Sequence, residues 1–198
     1  DYLRDETPLA LAQSLEGLNH IGSIVRAMRE FAHPGEARKQ PVDLNSLVQS
    51  VTVIARNEWK YVATLELDLD QQLPLVPMIR NELSQVLLNL IVNAAHAIGE
   101  RGLDNTQGRI LISTRKDAEQ IELRVCDNGA GIPVSIRPRV FEPFFTTKEV
   151  GKGTGQGLAI SYAVVTTKHG GSIQIDSTEN EGTAFIVRLP LHPGEGPS

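Results

Sequence analysis

Apolar residues return at helical spacing over residues 7–32, where Leu11, Leu15, Leu18 and Val25 sit three, four or seven apart with Ile21, Ile24, Met28 and Phe31 beside them. The spacing predicts one long helix, and its stripe is wider than a single partner surface needs. Two readings are open: the helix packs against a neighbouring domain, or it comes from a bundle or dimer. Pro34 and Gly35 stop it, and the charged run 35–41 reads as a linker. Asp43 then caps a helix to about Trp59. The alternation of Thr64 through Leu69 predicts a strand with one buried face. Leu73 to Pro77 reads as a short extended piece. A strongly apolar helix follows over 80–98, with Leu83, Val86, Leu87, Leu90, Ile91 and Ala94 on its inner face. After a polar turn at 102–108, residues 110–114 and 121–125 alternate as a hairpin. Residues 127–157 hold glycines and prolines with little periodicity, which marks a long functional or mobile loop. A helix over 156–168, ended by Gly170 and Gly171, precedes a second hairpin at 173–176 and 184–189. The order helix, strand, helix, hairpin, loop, helix, hairpin predicts an α+β fold: a two-layer sandwich whose mostly antiparallel sheet carries helices on one face.

Composition narrows the function classes. The chain has 198 residues, enough for one core and an appended element. Its net charge of -5 argues against general nucleic-acid binding. Cys126 is the single cysteine, so neither an internal disulfide nor a cysteine metal cluster is available. No run of 18 apolar residues occurs, so no membrane span is expected.

Four polar segments fall where a core fold would not ask for them. Asn89 and Asn93 interrupt the apolar helix one turn apart on one face. They read either as amides bonded to loop backbone or as oxygen ligands for a hard cation such as Mg²⁺, with phosphates completing the shell. His96 follows Asn93 by three residues. Asp127 closes a strand ahead of Asn-Gly-Ala-Gly-Ile-Pro133, and its carboxylate can accept from an exocyclic amine such as that of adenine. Gly129 and Gly131 would let the chain turn over a flat ring; a plain turn is the alternative. Phe141, Phe144 and Phe145 cluster in a loop that either anchors on the core or docks as a lid, and Lys148 or Lys152 could meet phosphate. Last, GKGTGQGLA at 151–159 leads into a helix, so its amides and the helix start can cradle an anion. Its glycines, at 151, 153, 155 and 157, fit neither the spacing of a P-loop nor G-x-G-x-x-G.

Taken in this order, N-x-x-x-N-A, D-x-G-x-G, F-x-P-F-F and G-x-G-x-G-L resemble the N, G1, F and G2 boxes of the sensor histidine kinase ATP-binding domain, over about residues 41–190. Gly182 and Thr183 look like its remaining glycine box, and the stretch from Phe31 to Glu36 looks like the exit from a dimerisation helix. The resemblance implies a Bergerat-type fold in which 1–34 is the last helix of a dimerisation and phosphoacceptor domain, 35–41 a linker, 42–191 the ATP-binding domain and 192–198 a disordered tail. It implies ATP or ADP with Mg²⁺ as ligands. Asn93 would hold the metal with Asn89 beside it, and His96 and Ala97 would lie near the nucleotide. Asp127 would read the adenine amine with Thr183 nearby, while Gly129, Gly131 and Ile132 line the base. Lys148, Gly153, Thr154, Gly155, Gln156, Gly157 and Leu158 would wrap the phosphates. The implied partners are a response-regulator receiver domain and the protein's own dimerisation helix in a homodimer, with no nucleic acid and no membrane contact. The implied location is the cytoplasm, in a parent that can be membrane-anchored.

Within the wider superfamily, hydrolases such as gyrase and MutL typically have a general-base Glu where this chain has Asn89. Slow hydrolysis, suited to a kinase awaiting its acceptor, is therefore expected. A nucleotide-binding regulatory module and a serine-kinase anti-sigma factor are the alternatives. The family's acceptor histidine is usually followed by an acidic residue. His20 precedes Ile21 and His33 precedes Pro34, so neither matches and the acceptor helix is expected to lie outside this sequence. On that reading this piece alone would not phosphorylate itself.

Overall fold

The computed structural model describes residues 38–148 and 153–191. The helix expected at 7–32, most of the linker, Gly151, Lys152 and the tail at 192–198 lie outside them. The described residues form two units, a main body of Arg38–Phe145 with the chain from Gly155 onward, and a short stretch within Thr146–Thr154.

The main body opens with β1, Gln40–Val42, an element the hydrophobic pattern did not show. Gln40 and Pro41, read from sequence as linker, are strand residues here. They pair antiparallel with β3, Val76–Met78, so that Gln40 faces Met78. Helix α1, Leu44–Ile54, starts at Asp43, whose carboxylate accepts from the Ser46 amide at 3.0 Å. It stops short of the expected end at Trp59. Its last four residues, Val51 to Ile54, are all β-branched and disfavour helix. The chain bends at Ala55 into the short α2, Arg56–Trp59, and the Trp59 indole N–H ties back to the Thr52 carbonyl at 3.2 Å.

Helix α3, Arg80–Glu100, buries Leu83, Val86, Leu87, Leu90, Ile91, Ala94, Ala95 and Ile98, completing the predicted stripe. No side chain caps its start. Instead His169, 2% exposed, accepts the Ile79 amide at Nε2 (3.0 Å) and faces the Val164 carbonyl with Nδ1 (2.8 Å). Burial holds its pKa below the ordinary histidine value, so the neutral ring with Nδ1 as donor is the form that fits.

Five strands form the main sheet: β2, Thr64–Leu69; β4, Arg109–Asp117; β5, Gln120–Asp127; β6, Ser172–Thr178; and β7, Gly182–Pro190. Their spatial order is β2-β4-β5-β7-β6, with β2 parallel to β4 and every other pair antiparallel. Ile110, Ile112, Ile121, Leu123, Val125, Phe185, Val187 and Leu189 meet α3 in one core. On the opposite face Arg188 bonds Glu122 at 3.0 Å and Gln174 at 2.7 Å. The buried face expected of β2 is only partial. Leu65 and Leu69 are half-buried and Leu67 is 40% exposed, because β2 is an edge strand that the helices cover incompletely. The helix expected at 156–168 appears as α4, Gly157–Ala163, continued by a π-helical turn, Val164–Lys168. No helix among the described residues is long and apolar enough to cross a membrane.

Candidate functional site

Three strand ends meet at Asp127, the last residue of β5. It lies opposite Thr183 of β7, which lies opposite Ser177 of β6. Side chains alternate along each strand, so these three share the face of Val125 and Phe185, at the rim of the core. Asp127 is half-buried, and its Oδ1 accepts from the Gly129 amide at 2.8 Å. Burial pushes its pKa up to about 6, against the pull of the Gly129 and Thr183 amides. Once ionised it is an acceptor with capacity left over, which matches a donor such as an amine.

Ser177 was not legible as a site residue. Its signal is a polar residue at an inward position in Ile173-Gln-Ile-Asp-Ser177, where the pattern asks for a third apolar side chain. Ser177 and Thr183 are both buried, 6% and 5% exposed. The Ser177 hydroxyl touches the Gly182 carbonyl at 3.0 Å, the Thr183 hydroxyl at 2.9 Å and the Ile132 amide at 2.8 Å.

The loop after Asp127 is clamped on both sides. Ala130 donates its amide to the Ala97 carbonyl at 2.9 Å, and its own carbonyl accepts from the Asn180 amide at 2.7 Å. A Cβ on Gly129 would stand 2.5 Å from the Ala97 carbonyl carbon. Gly131 has φ +71, and a Cβ there would stand 2.2 Å from the Thr178 carbonyl oxygen. Both glycines are therefore required by close approach to the protein's own backbone, a reason the sequence did not suggest. Ile132 packs against the core from this loop.

Along α3 the polar residues Gln85, Asn89 and Asn93 follow a four-residue step, and the next position on that line is Ala97, whose backbone carbonyl receives the Ala130 amide. Asn89 is committed. Its Nδ2 donates to the Gly157 carbonyl at 3.0 Å and contacts Ser161 Oγ at 3.4 Å, while its Oδ1 accepts from Gln85 at 3.0 Å. This is the loop-bonding role, and it pins the start of α4 to α3. Asn93 differs: it is half-buried, and its amide makes no hydrogen bond among the described residues. Its Oδ1 is free for a hard cation. No three His, Cys, Asp or Glu side chains group to hold a metal among the described residues. The protein's share of an Mg²⁺ shell at Asn93 would thus be small, which fits a metal whose other ligands are phosphate and water. His96 is exposed on the same helix.

In the aromatic loop, the Phe141 ring meets Tyr162 at 5.2 Å, and the Arg139 guanidinium lies over Phe145 at 4.5 Å. Phe144 is 71% exposed with φ +66. Gly155, at φ +63, lies against it so closely that a Cβ would stand 2.4 Å from the Phe144 carbonyl carbon. The loop is thus anchored by two rings and presents the third. Gln156 precedes α4, and Leu158 packs on the core. In the short stretch, the Lys148 amide donates to Thr146 Oγ1 at 3.1 Å, and Gly153 lies so close that a Cβ would stand 2.8 Å from the same oxygen, with Thr154 next.

Residues 78–193 match the model of the histidine kinase-, DNA gyrase B-, and HSP90-like ATPase family. The signal transduction histidine-protein kinase AtoS of Escherichia coli is 34% identical over 184 residues, covering 92% of this chain and 29% of its own. The sensory histidine kinase/phosphatase NtrB of Rhizobium leguminosarum is 33% identical, covering 87% of this chain and 46% of its own. This chain therefore spans less than half of these curated relatives. Among solved structures, the catalytic domain of histidine kinase ThkA superposes with a TM-score of 0.65 at 31% identity, over 78% of this chain and 98% of that one. ThkA in complex with the response regulator protein TrrA gives 0.70 at 25% identity, over 91% and 50%. The chain belongs to the histidine kinase-, DNA gyrase B-, and HSP90-like ATPase family, and within it to the catalytic domains of sensor histidine kinases.

Proposed function

We propose that this domain binds Mg-ATP and supplies its γ-phosphoryl group to a histidine on a dimerisation helix of the same protein, in the cytoplasm, for relay to a response-regulator aspartate. The observation that carries the reading is the polar line on α3. It runs from Asn89, bonded to Gly157, through the unspent Asn93 to Ala97, where the Asp127 loop docks. Eight residues of helix separate the ends, about 12 Å. A nucleotide laid along that line would put its base amine at Asp127 and its phosphates at the segment from Gly155 to Leu158, with Asn93 placed to hold a metal beside them. His96 would add a donor near the phosphates. Mg²⁺ held by Asn93 would offset the charge on the phosphate oxygens.

Transfer replaces the bond between the γ-phosphorus and its bridging oxygen with one to an imidazole nitrogen, and ADP leaves. Asn89 has no proton-accepting group and its amide is occupied, so water at that position is not activated and the γ-phosphoryl is kept for its acceptor. The response-regulator partner is supported by the complex known for ThkA. The test joins this domain to the helices of its parent protein and supplies γ-labelled ATP. Acid-labile, base-stable phosphohistidine is the expected product. Intact ATP binding without any such label, in the full-length parent, would contradict the kinase reading while leaving nucleotide binding in place.

A further inference from the structure

The buried hydroxyl pair beside Asp127 has one consistent set of hydrogen-bond directions. Ser177 Oγ lies within bonding distance of three partners: the Gly182 carbonyl oxygen, the Ile132 amide and Thr183 Oγ1. A carbonyl can only accept, so the single Ser177 proton goes to Gly182. An amide N–H can only donate, so Ile132 takes one Ser177 lone pair. The contact left, 2.9 Å to Thr183, is then a bond in which Thr183 is the donor. The Thr183 proton is thereby spent towards β6, away from the strand that carries Asp127. What Thr183 keeps is acceptor capacity only. Ionised Asp127 is acceptor-only as well.

From this we infer that Ser177 is a positioning residue for base selectivity: by holding the Thr183 proton it makes the Asp127–Thr183 end of the sheet an acceptor-only surface, which takes the amine of adenine and rejects a purine with a carbonyl at the same ring position. The inference rests on the nucleotide reading above and deepens it. Without Ser177, the Thr183 hydroxyl is free to turn its proton to the carboxylate beside it. That proton would then either occupy one acceptor of Asp127 or stand as a donor where a base carbonyl arrives. Either change favours the wrong purine.

The test compares ATP with ITP, which carries a carbonyl in place of the adenine amine, by displacement of a ribose-labelled fluorescent ADP. The proteins are wild type, Ser177→Ala, Ser177→Thr, Thr183→Val and the Ser177→Ala/Thr183→Val double variant. Losing one oriented hydrogen bond changes affinity by roughly tenfold or less. The expected result is a drop of roughly five- to tenfold in the ATP-over-ITP preference for Ser177→Ala. Ser177→Thr should restore it, and Ser177→Ala should have no further effect on it once Thr183 is Val. A merely structural role would weaken both nucleotides alike, and that outcome, or an unchanged preference, would overturn the inference while nucleotide binding stands. Failure of wild type to bind ATP would instead overturn the functional reading and this inference with it.

Discussion

At the residue scale, Asp127 sets function against stability. Its pKa in the fold is about 6, above the ordinary 3.8, because burial disfavours the charge. The protonated form is thus the better folder. That contribution is fully present below the unfolded value near 3.8 and is lost as pH rises through 6. At neutral pH the ionised carboxylate costs the domain on the order of 1–2 kcal/mol, after discounting for its partial exposure. Asp127→Asn keeps an oxygen for the Gly129 amide and removes that cost. Thermal unfolding without nucleotide should therefore give a higher Tm for Asp127→Asn at pH 7.5, by several degrees, with the gain shrinking towards pH 5. A lower Tm at both pH values would mean that the carboxylate is a structural partner rather than a strained ligand. Asn89 and Asn93 teach a related lesson. Four residues apart on one helix, they are placed differently: Asn89 is bonded to the loop backbone, and Asn93 makes no hydrogen bond among the described residues.

At the element scale, glycines of similar appearance do different jobs. Gly129 lies where a Cβ would press within 2.5 Å of Ala97 backbone in α3, which cannot yield cheaply. Gly129→Ala should cost about 2–4 kcal/mol in denaturant unfolding. Gly157 begins α4, and a Cβ there would meet only the Asn89 side chain at an ordinary 3.5 Å. Gly157→Ala should leave stability within about 1 kcal/mol of wild type, yet weaken ATP through the added methyl if the phosphates lie there. Equal destabilisation of the two variants would mean that α4 and the Asp127 loop are packed alike. The long elements were legible because burial enforces their period: every apolar residue named for the inner face of α3 is buried. Shorter decisions were not legible. β1 exists because β3 is available to pair with it 36 residues along, and no local pattern records that. The break at Ala55, by contrast, is marked by the β-branched run before it.

At the scale of the main body, the fold brings Asn89 and Asn93 of α3, the start of α4 at Gly157 and the Asp127–Thr183 end of the sheet into one neighbourhood through the Asn89–Gly157 and Ala97–Ala130 bonds. The motifs could be read from sequence because glycine, asparagine and aspartate in apolar surroundings need a reason. What joins them could not. The docking of Gly129 on Ala97, the His169 ring closing the start of α3, and the Ser177–Thr183 pair all depend on residues distant in sequence meeting at backbone distance. The central claim is that Asp127 reads a nucleotide base while Asn93 reaches its metal. Calorimetric titration of ADP and a non-hydrolysable ATP analogue, with and without Mg²⁺, tests it most directly, on wild type and Asp127→Asn at pH 7.5 and again at pH 5.5. Saturable binding by wild type is predicted, strengthened by Mg²⁺, weakened at pH 5.5 where Asp127 takes up its proton, and lost in Asp127→Asn. Binding that is indifferent to Asp127, or no binding under any condition, would contradict it.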